Sequence, residues 1–177
     1  IAPPISLIKA VYVPNQRLQA LLKRRKRDPL QELALKIIRL LSVESGVLLE
    51  DFGLHGSIAL NMHSAESDID LVVYGADNFR KLEASVSRLV AEGKLDPAGK
   101  NRAQFKGKVI VYNAVRKPAE VLVKYGDQKY TPIASVKFRC RVEGDKEAMF
   151  RPAIYRVRDY RPINTSSKLE GAQVPKV

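Results

Sequence analysis

The sequence predicts an α/β (α+β) fold, a small mixed sheet with flanking helices followed by a C-terminal antiparallel β module. Three observations carry that expectation. Apolar residues recur at helical spacing over Leu30–Leu41 and again over Phe79–Val90. Compact β-branched runs, Ile69–Tyr74 and Lys108–Val115, alternate with those helices. Near residue 136 the period changes to two: Val136, Phe138, Cys140 and Val142 interleave with Lys137, Arg139, Arg141 and Glu143.

Taken in order, Leu7 to Val13 reads as a short strand ending at Pro14, after which Asn15 is placed to cap a helix carrying Leu18, Leu21 and Leu22. That helix runs into five consecutive cations, Lys23 to Arg27. Asp28-Pro29-Leu30-Gln31 then combines an N-cap, a proline at the first helical position and a capping-box glutamine. The helix it starts should close near Ser45-Gly46. Val47 to His55 reads as a strand, Gly56-Ser57 as a turn, Ile58 to His63 as a short helix and Ser64 to Ser67 as a loop. A buried strand, Ile69 to Tyr74, follows and ends at Gly75. Asp77 or Asn78 is expected to cap the next helix, with Phe79, Leu82, Val86, Leu89 and Val90 on one face and Gly93 as its stop. Asp96 to Arg102 reads as a polar loop, Lys108 to Val115 as a strand, and Glu120 to Tyr125 as either strand or short helix.

In the last third, residues 136–142 form a half-buried strand, and Glu143 to Lys146 a turn. Ala148 to Val157 returns as the partner strand, interrupted by Pro152, and a loose tail begins at Ile163. The domain organisation expected from these shifts is a core with an N-terminal helical extension over 1–128, a small basic β module over 129–163 and a tail over 164–177.

Composition narrows the chemistry. The 177 residues suffice for one full core or two small modules, and 45% hydrophobic with 28% charged residues is ordinary for a globular chain. The 31 Lys and Arg against 19 Asp and Glu give +12, a field that favours phosphate-bearing partners. One cysteine, Cys140, excludes an intrachain disulfide, and with two histidines it argues against a Cys/His zinc site. A metal here should be a hard cation on carboxylates, Mg²⁺ first and Mn²⁺ in its place. No apolar run approaches membrane-spanning length, and Ile1-Ala2-Pro3-Pro4 lacks a signal-peptide pattern. The expected setting is the cytoplasm with no membrane partner. The chain starts without Met, so residues are expected upstream.

The chemistry concentrates between Gly53 and Gly75. On a strand, residues i and i+2 share a face, so Asp68 and Asp70 aim two carboxylates at one spot. Adjacent carboxylates repel unless a cation lies between them, and a divalent ion that relieves the repulsion also holds phosphates. Gly56 lets the backbone approach a ligand, and Ser57 opens a helix whose unpaired N–H groups suit a triphosphate. The ten residues between Ser57 and Asp68 are enough for a short helix and a return strand. Together these parts fit metal-assisted attack on the α-phosphate of a nucleoside triphosphate.

A strand, Gly-Ser, a short helix and a Ser-Asp-x-Asp strand together resemble the DNA polymerase β superfamily of nucleotidyltransferases. The resemblance implies that Gly56, Ser57 and Ser67 bind the triphosphate and that Asp68 and Asp70 ligate the metal. The segment Phe150-Arg151-Pro152-Ala153-Ile154-Tyr155 is similar to archaeal nucleotidyltransferases of unassigned substrate. Active members of the superfamily carry a third carboxylate on a later strand, as metal ligand and proton acceptor. The natural strand here, Lys108 to Val115, contains no acid. Glu120 is the nearest later candidate, with Glu143 and Asp145 more distant. Two functions stay open: transfer of a nucleoside monophosphate to a hydroxyl acceptor such as RNA, or a degenerate fold that binds nucleotide or RNA without turnover.

Of the remaining residues, His55 reads as a packed histidine and Cys140 as a buried thiol. His63 ends the short helix. Lys23 to Arg27 is either a phosphate-contacting arm or a solvated helix end favoured by the helix dipole. Lys137, Arg139 and Arg141 share one side of a strand, and Arg151, Arg156 and Arg158 follow across the turn. With Phe150, Tyr155 and Tyr160 for stacking, these residues suggest a nucleic-acid surface.

Overall fold

A computed structural model describes residues 4–121, 127, 135 and 137–164. The chain divides into two compact units, Ile1–Lys117 and Pro118–Val177. The first unit is α/β, with helices flanking a five-stranded mixed sheet, and the second contains a separate two-stranded antiparallel sheet.

The N-terminal segment forms no strand. A 3-10 turn, Ile5–Leu7, leads into unpaired chain, and Leu7, Val11 and Tyr12 are exposed. With no neighbouring strand, the apolar run had nothing to pair with. Helix α1 (Pro14–Lys23) begins after Val13, with Pro14 in its first turn, and Asn15 Oδ1 instead accepts the next amide, from Gln16. Leu18 and Leu21 are buried and Leu22 partly so.

Helix α2 (Pro29–Ser45) starts at the expected capping box. Asp28 Oδ1 accepts from Gln31 N at 3.0 Å, the Gln31 side chain accepts from Asp28 N, and Gly46 closes the helix at φ +68°. Asp28 Oδ2 also meets His63 Nε2 at 2.8 Å. Burial pushes the Asp28 carboxyl up, but the Gln31 amide and the His63 ring outweigh it and hold the group below its ordinary value. A carboxylate depressed in the folded state contributes stability above its unfolded value near 3.9, and that stability is lost as pH falls. Asp28→Ala is therefore expected to cost about 1 kcal/mol at pH 7, a fall of roughly 2–4 °C in Tm. The gap from wild type should narrow below about pH 4. Thermal unfolding at pH 7 and pH 3 checks this, and an equal gap at both would contradict it.

Val47 to His55 is not one strand. A 3-10 turn, Leu49–Asp51, takes its centre, and only β1 (Phe52–Leu54) joins the sheet. Asp51 fixes that turn by pairing with Lys117 at 2.7 Å and accepting from Asn78 at 2.8 Å. Strand β2 (Ile69–Tyr74) has the expected bounds. Helix α4 (Ala76–Ala91) begins at Gly75, with no side chain capping it. Asn78 instead donates back to Tyr74 O. The expected polar loop 96–102 contains a short strand, β3 (Asp96–Pro97), paired with β4 (Arg102–Phe105). Strand β5 (Lys108–Val115) also has the expected bounds.

The sheet order is β1-β2-β5-β4-β3, with β2 and β5 parallel and the other pairs antiparallel. Phe52, Leu54, Ile69, Leu71, Ile110 and Tyr112 meet Leu35, Ile38, Leu41, Phe79, Leu82 and Leu89 in the buried core. Helix α1 lies against β1, where a side chain at Gly53 would meet Pro14 backbone at 2.7 Å.

In the second unit, a 3-10 turn covers Pro118–Glu120, while Val136 and most of 121–135 lie outside the described residues. Strand β6 (Lys137–Glu147) runs through the expected turn at 143–146, and β7 spans Ile154–Asn164. Irregular register near Gly144 lets the strand absorb those polar residues, and the reversal falls at 148–153, which contains Pro152. Residues Ile163 and Asn164 thus end a strand, and the tail beyond them lies outside the described residues.

Candidate functional site

Strand β2 sets the direction of Asp70. Ile69 is fully buried, so Asp70 alternates to the other side of the sheet and is half-buried, while Asp68 stands just before the strand and is exposed. The turn before α3 (Gly56–Leu60) is tied to this strand by a hydrogen bond from His55 N to Asp70 O, 3.2 Å. Gly56 has φ +62°, and a Cβ built on it would stand 2.0 Å from Asp70 Oδ2 and 2.9 Å from its Cγ. The Gly-Ser bend and one carboxylate of the pair are therefore in direct contact, and only glycine fits there.

Helix α3 starts two residues earlier and stops three residues sooner than its composition suggests. Asn61 in the left-handed region ends it, with Met62 N donating to Ser57 O at 2.9 Å. Five residues make a weak dipole, and no side chain caps the helix start. Helix α1 secures the far end: Arg17 Nε donates to Ala59 O at 2.7 Å and Arg24 Nη2 to Asn61 Oδ1 at 3.2 Å.

The loop before Asp68 is shaped by its own hydroxyls. Ser67 Oγ accepts from Ser64 N at 3.0 Å, and Ser64 Oγ accepts from Glu66 N at 3.2 Å. Lys108 closes the loop from β5 by donating to Ala65 O. Along β5, Val111 stands opposite Asp70 and Asn113 opposite Val72. Asn113 Nδ2 lies 3.5 Å from His55 Nε2, so half-buried His55 faces the neighbouring strand beside the bend. The signal for Asn113 was available in the sequence as a lone amide in a run of apolar residues. Among the described residues, no group of three or more His, Cys, Asp or Glu side chains is placed to hold a metal. Glu120 closes the 3-10 turn that begins the second unit.

His63 lies outside the acidic pair's constellation, in the Asp28 couple, with its Nδ1 buried and unpartnered. A cavity of about 550 Å³ adjoins this couple, bounded by Pro29, Leu30, Leu33 and Lys108, and neither acid lines it. In the cationic run, Arg27 turns back to Glu32 at 2.6 Å and caps Arg24 O at 2.5 Å, which makes it a helix-end structure, while Arg25 and Lys26 are exposed.

The β6–β7 ribbon is wetter than expected. Phe138 and Val142 are more than half exposed and Cys140 is half-buried. Phe150 is buried in the reversal, which removes it from any stacking role, and Arg151 sits in the same turn. Tyr160 packs on Phe138 with ring centroids 5.1 Å apart.

Residues 34–134, more than half of the chain, match the nucleotidyltransferase domain family and include Gly56, Ser57, Asp68 and Asp70. The chain belongs to this family, of DNA polymerase β type, whose class of reaction is nucleotidyl transfer from a nucleoside triphosphate. It is also 26% identical over 160 residues to an uncharacterized protein of Methanocaldococcus jannaschii, MJ1086, an alignment covering 74% of this chain and 47% of the relative. The chain thus spans about half the length of the curated relative it matches. No described helix is long and apolar enough to cross a membrane.

Proposed function

We propose that the protein transfers a nucleoside monophosphate from a nucleoside triphosphate to a hydroxyl acceptor, with RNA as the acceptor class, in a metal-dependent reaction. The observation that carries this reading is the contact between Gly56 and the Asp70 carboxylate, which supports a phosphate-binding bend next to a metal-binding acid. Two exposed or half-buried carboxylates offer oxygen donors of the kind that Mg²⁺ or Mn²⁺ takes. Asp68 and Asp70 would hold a divalent cation, which would supply charge neutralisation at the phosphates. The amides at Gly56 and Ser57 hold the triphosphate in line. The acceptor oxygen bonds to the α-phosphorus, the bond from that phosphorus to the bridging oxygen breaks, and pyrophosphate departs. The hydroxyl proton leaves to solvent or to a base near the acceptor.

The second reading, nucleotide binding without turnover, draws on Val111 standing where a third acid would face Asp70. Both are tested by incubating the protein with labelled triphosphates, Mg²⁺ or Mn²⁺ and total RNA. Label on RNA supports transfer, and metal-dependent nucleotide binding without label supports the binding module. Neighbouring strands lie roughly 4.8 Å apart, so Val111→Asp should add a third oxygen ligand. It is expected to tighten Mn²⁺ binding about tenfold, because ligand charge count sets affinity at such sites. Weaker binding in this variant would show that position 111 does not face the metal.

A further inference from the structure

Strands β6 and β7 do not pair in simple alternation. Arg139 pairs with Arg161 and Arg141 with Arg158, so two residues of one strand span three of the other. The extra residue is accommodated at Asp159, whose φ is +55°. Without that bulge Arg158 and Arg161, three apart, would point to opposite faces. With it, Arg139, Arg141, Arg158 and Arg161 share one face, and Arg156, opposite Gly144, joins them. Like charges directly across a ladder are destabilising. None of these arginines is ion-paired among the described residues, and all are exposed. The aromatic and aliphatic side chains Phe138, Val142, Val157 and Tyr160 fall on the opposite face.

This segregation corrects the expectation of cations and aromatics on one surface. Single-strand platforms stack bases on aromatics within the cationic groove, and here the two are on opposite faces. Between the Arg139–Arg161 and Gly144–Arg156 pairs the cationic face presents guanidinium groups, which take phosphate oxygens in any duplex and guanine edges in a B-form major groove, so RNA is favoured over DNA by the acceptor class proposed above. Guanidinium forks suit phosphate oxygens, and recognition by shape and phosphate is how A-form duplexes are bound.

We infer that the arginine face of the β6–β7 ribbon docks the phosphate backbone of double-helical RNA, independent of sequence. This deepens the acceptor side of the proposed function and rests on that reading for the choice of RNA over DNA; binding is measured with no triphosphate present, so the two can fail separately. The test is titration of the full chain against a 20-base-pair RNA duplex, its single strands, a DNA duplex of the same sequence and anionic phospholipid vesicles, over a range of salt (duplex length chosen on the order of a double-stranded RNA domain's footprint). The RNA duplex should bind tightest and its scrambled version equally well. Arg139→Ala/Arg161→Ala should reduce the slope of log K against log salt by about two, one for each lost phosphate contact. Arg25→Ala/Lys26→Ala, which removes the same charge elsewhere, and Val142→Thr on the apolar face should leave binding close to wild type. Preference for the single strand, equal affinity for DNA, arginine-dependent binding to vesicles in place of RNA, or equal losses in the two charge-matched variants would each overturn the proposal. Failure of nucleotidyl transfer with duplex binding intact would overturn the proposed function and leave this inference standing.

Discussion

Asp70→Asn is expected to lower nucleotidyl transfer by about 10²–10⁴-fold, since a metal's charge stabilisation is worth several kcal/mol and each 1.36 kcal/mol is a factor of ten. Asp68→Asn should behave similarly. Fold damage would produce a similar loss, so stability must be measured beside activity. On the proposed reading the two carboxylates repel in the absence of divalent ions, and removing one charge should leave Tm unchanged or slightly higher. Added Mg²⁺ and nucleotide should raise the wild-type Tm by mass action, about 2.7 kcal/mol at a hundredfold excess over Kd. The variant should lose that rise. A variant that keeps transfer within threefold of wild type would remove Asp70 from the metal site.

Gly56→Ala is expected to have the second-largest effect, through geometry alone. The left-handed backbone costs an L-residue roughly 1–2 kcal/mol, and overpacking costs typically 1–3 kcal/mol more. The added methyl would stand 2.0 Å from Asp70 Oδ2, so either the bend or the carboxylate must move. The expected result is a Tm lower by about 5–15 °C, at roughly 2–4 °C per kcal/mol, and at least about tenfold weaker Mn²⁺·nucleotide binding per folded molecule. Gly53→Ala is the matched control. Its Cβ would strike Pro14 backbone at 2.7 Å, away from the acids. It should destabilise without weakening binding in the folded fraction. Equal binding losses in both variants would mean that Gly56 matters only for folding.

Where local chemistry decides structure, the sequence was readable. The α2 capping box needs only Asp28 and Gln31, and strand β2 needs only its β-branched run between Asp70 and Gly75. The contact of Gly56 with Asp70 is different, since it depends on how α3 returns to β2, and the sequence suggested proximity without the register. Errors arose where pairing decides. Leu7 to Val13 had strand-like composition and no partner, while Asp96–Pro97 had loop composition and found one in β4. On the ribbon, the arginines were visible but the bulge at Asp159 was not, so Arg161 was missed. Asn113 went unmarked because its proximity to His55 follows from the parallel pairing of β2 with β5.

The most direct test is anomalous diffraction from crystals grown with Mn²⁺ and a non-hydrolysable nucleoside triphosphate. A manganese peak bonded to oxygens of both Asp68 and Asp70, at roughly the 2.1 Å of a small divalent ion, with phosphate oxygens on the Gly56 and Ser57 amides, is the expected result. Manganese bound elsewhere, or a triphosphate seated away from that bend, would contradict it.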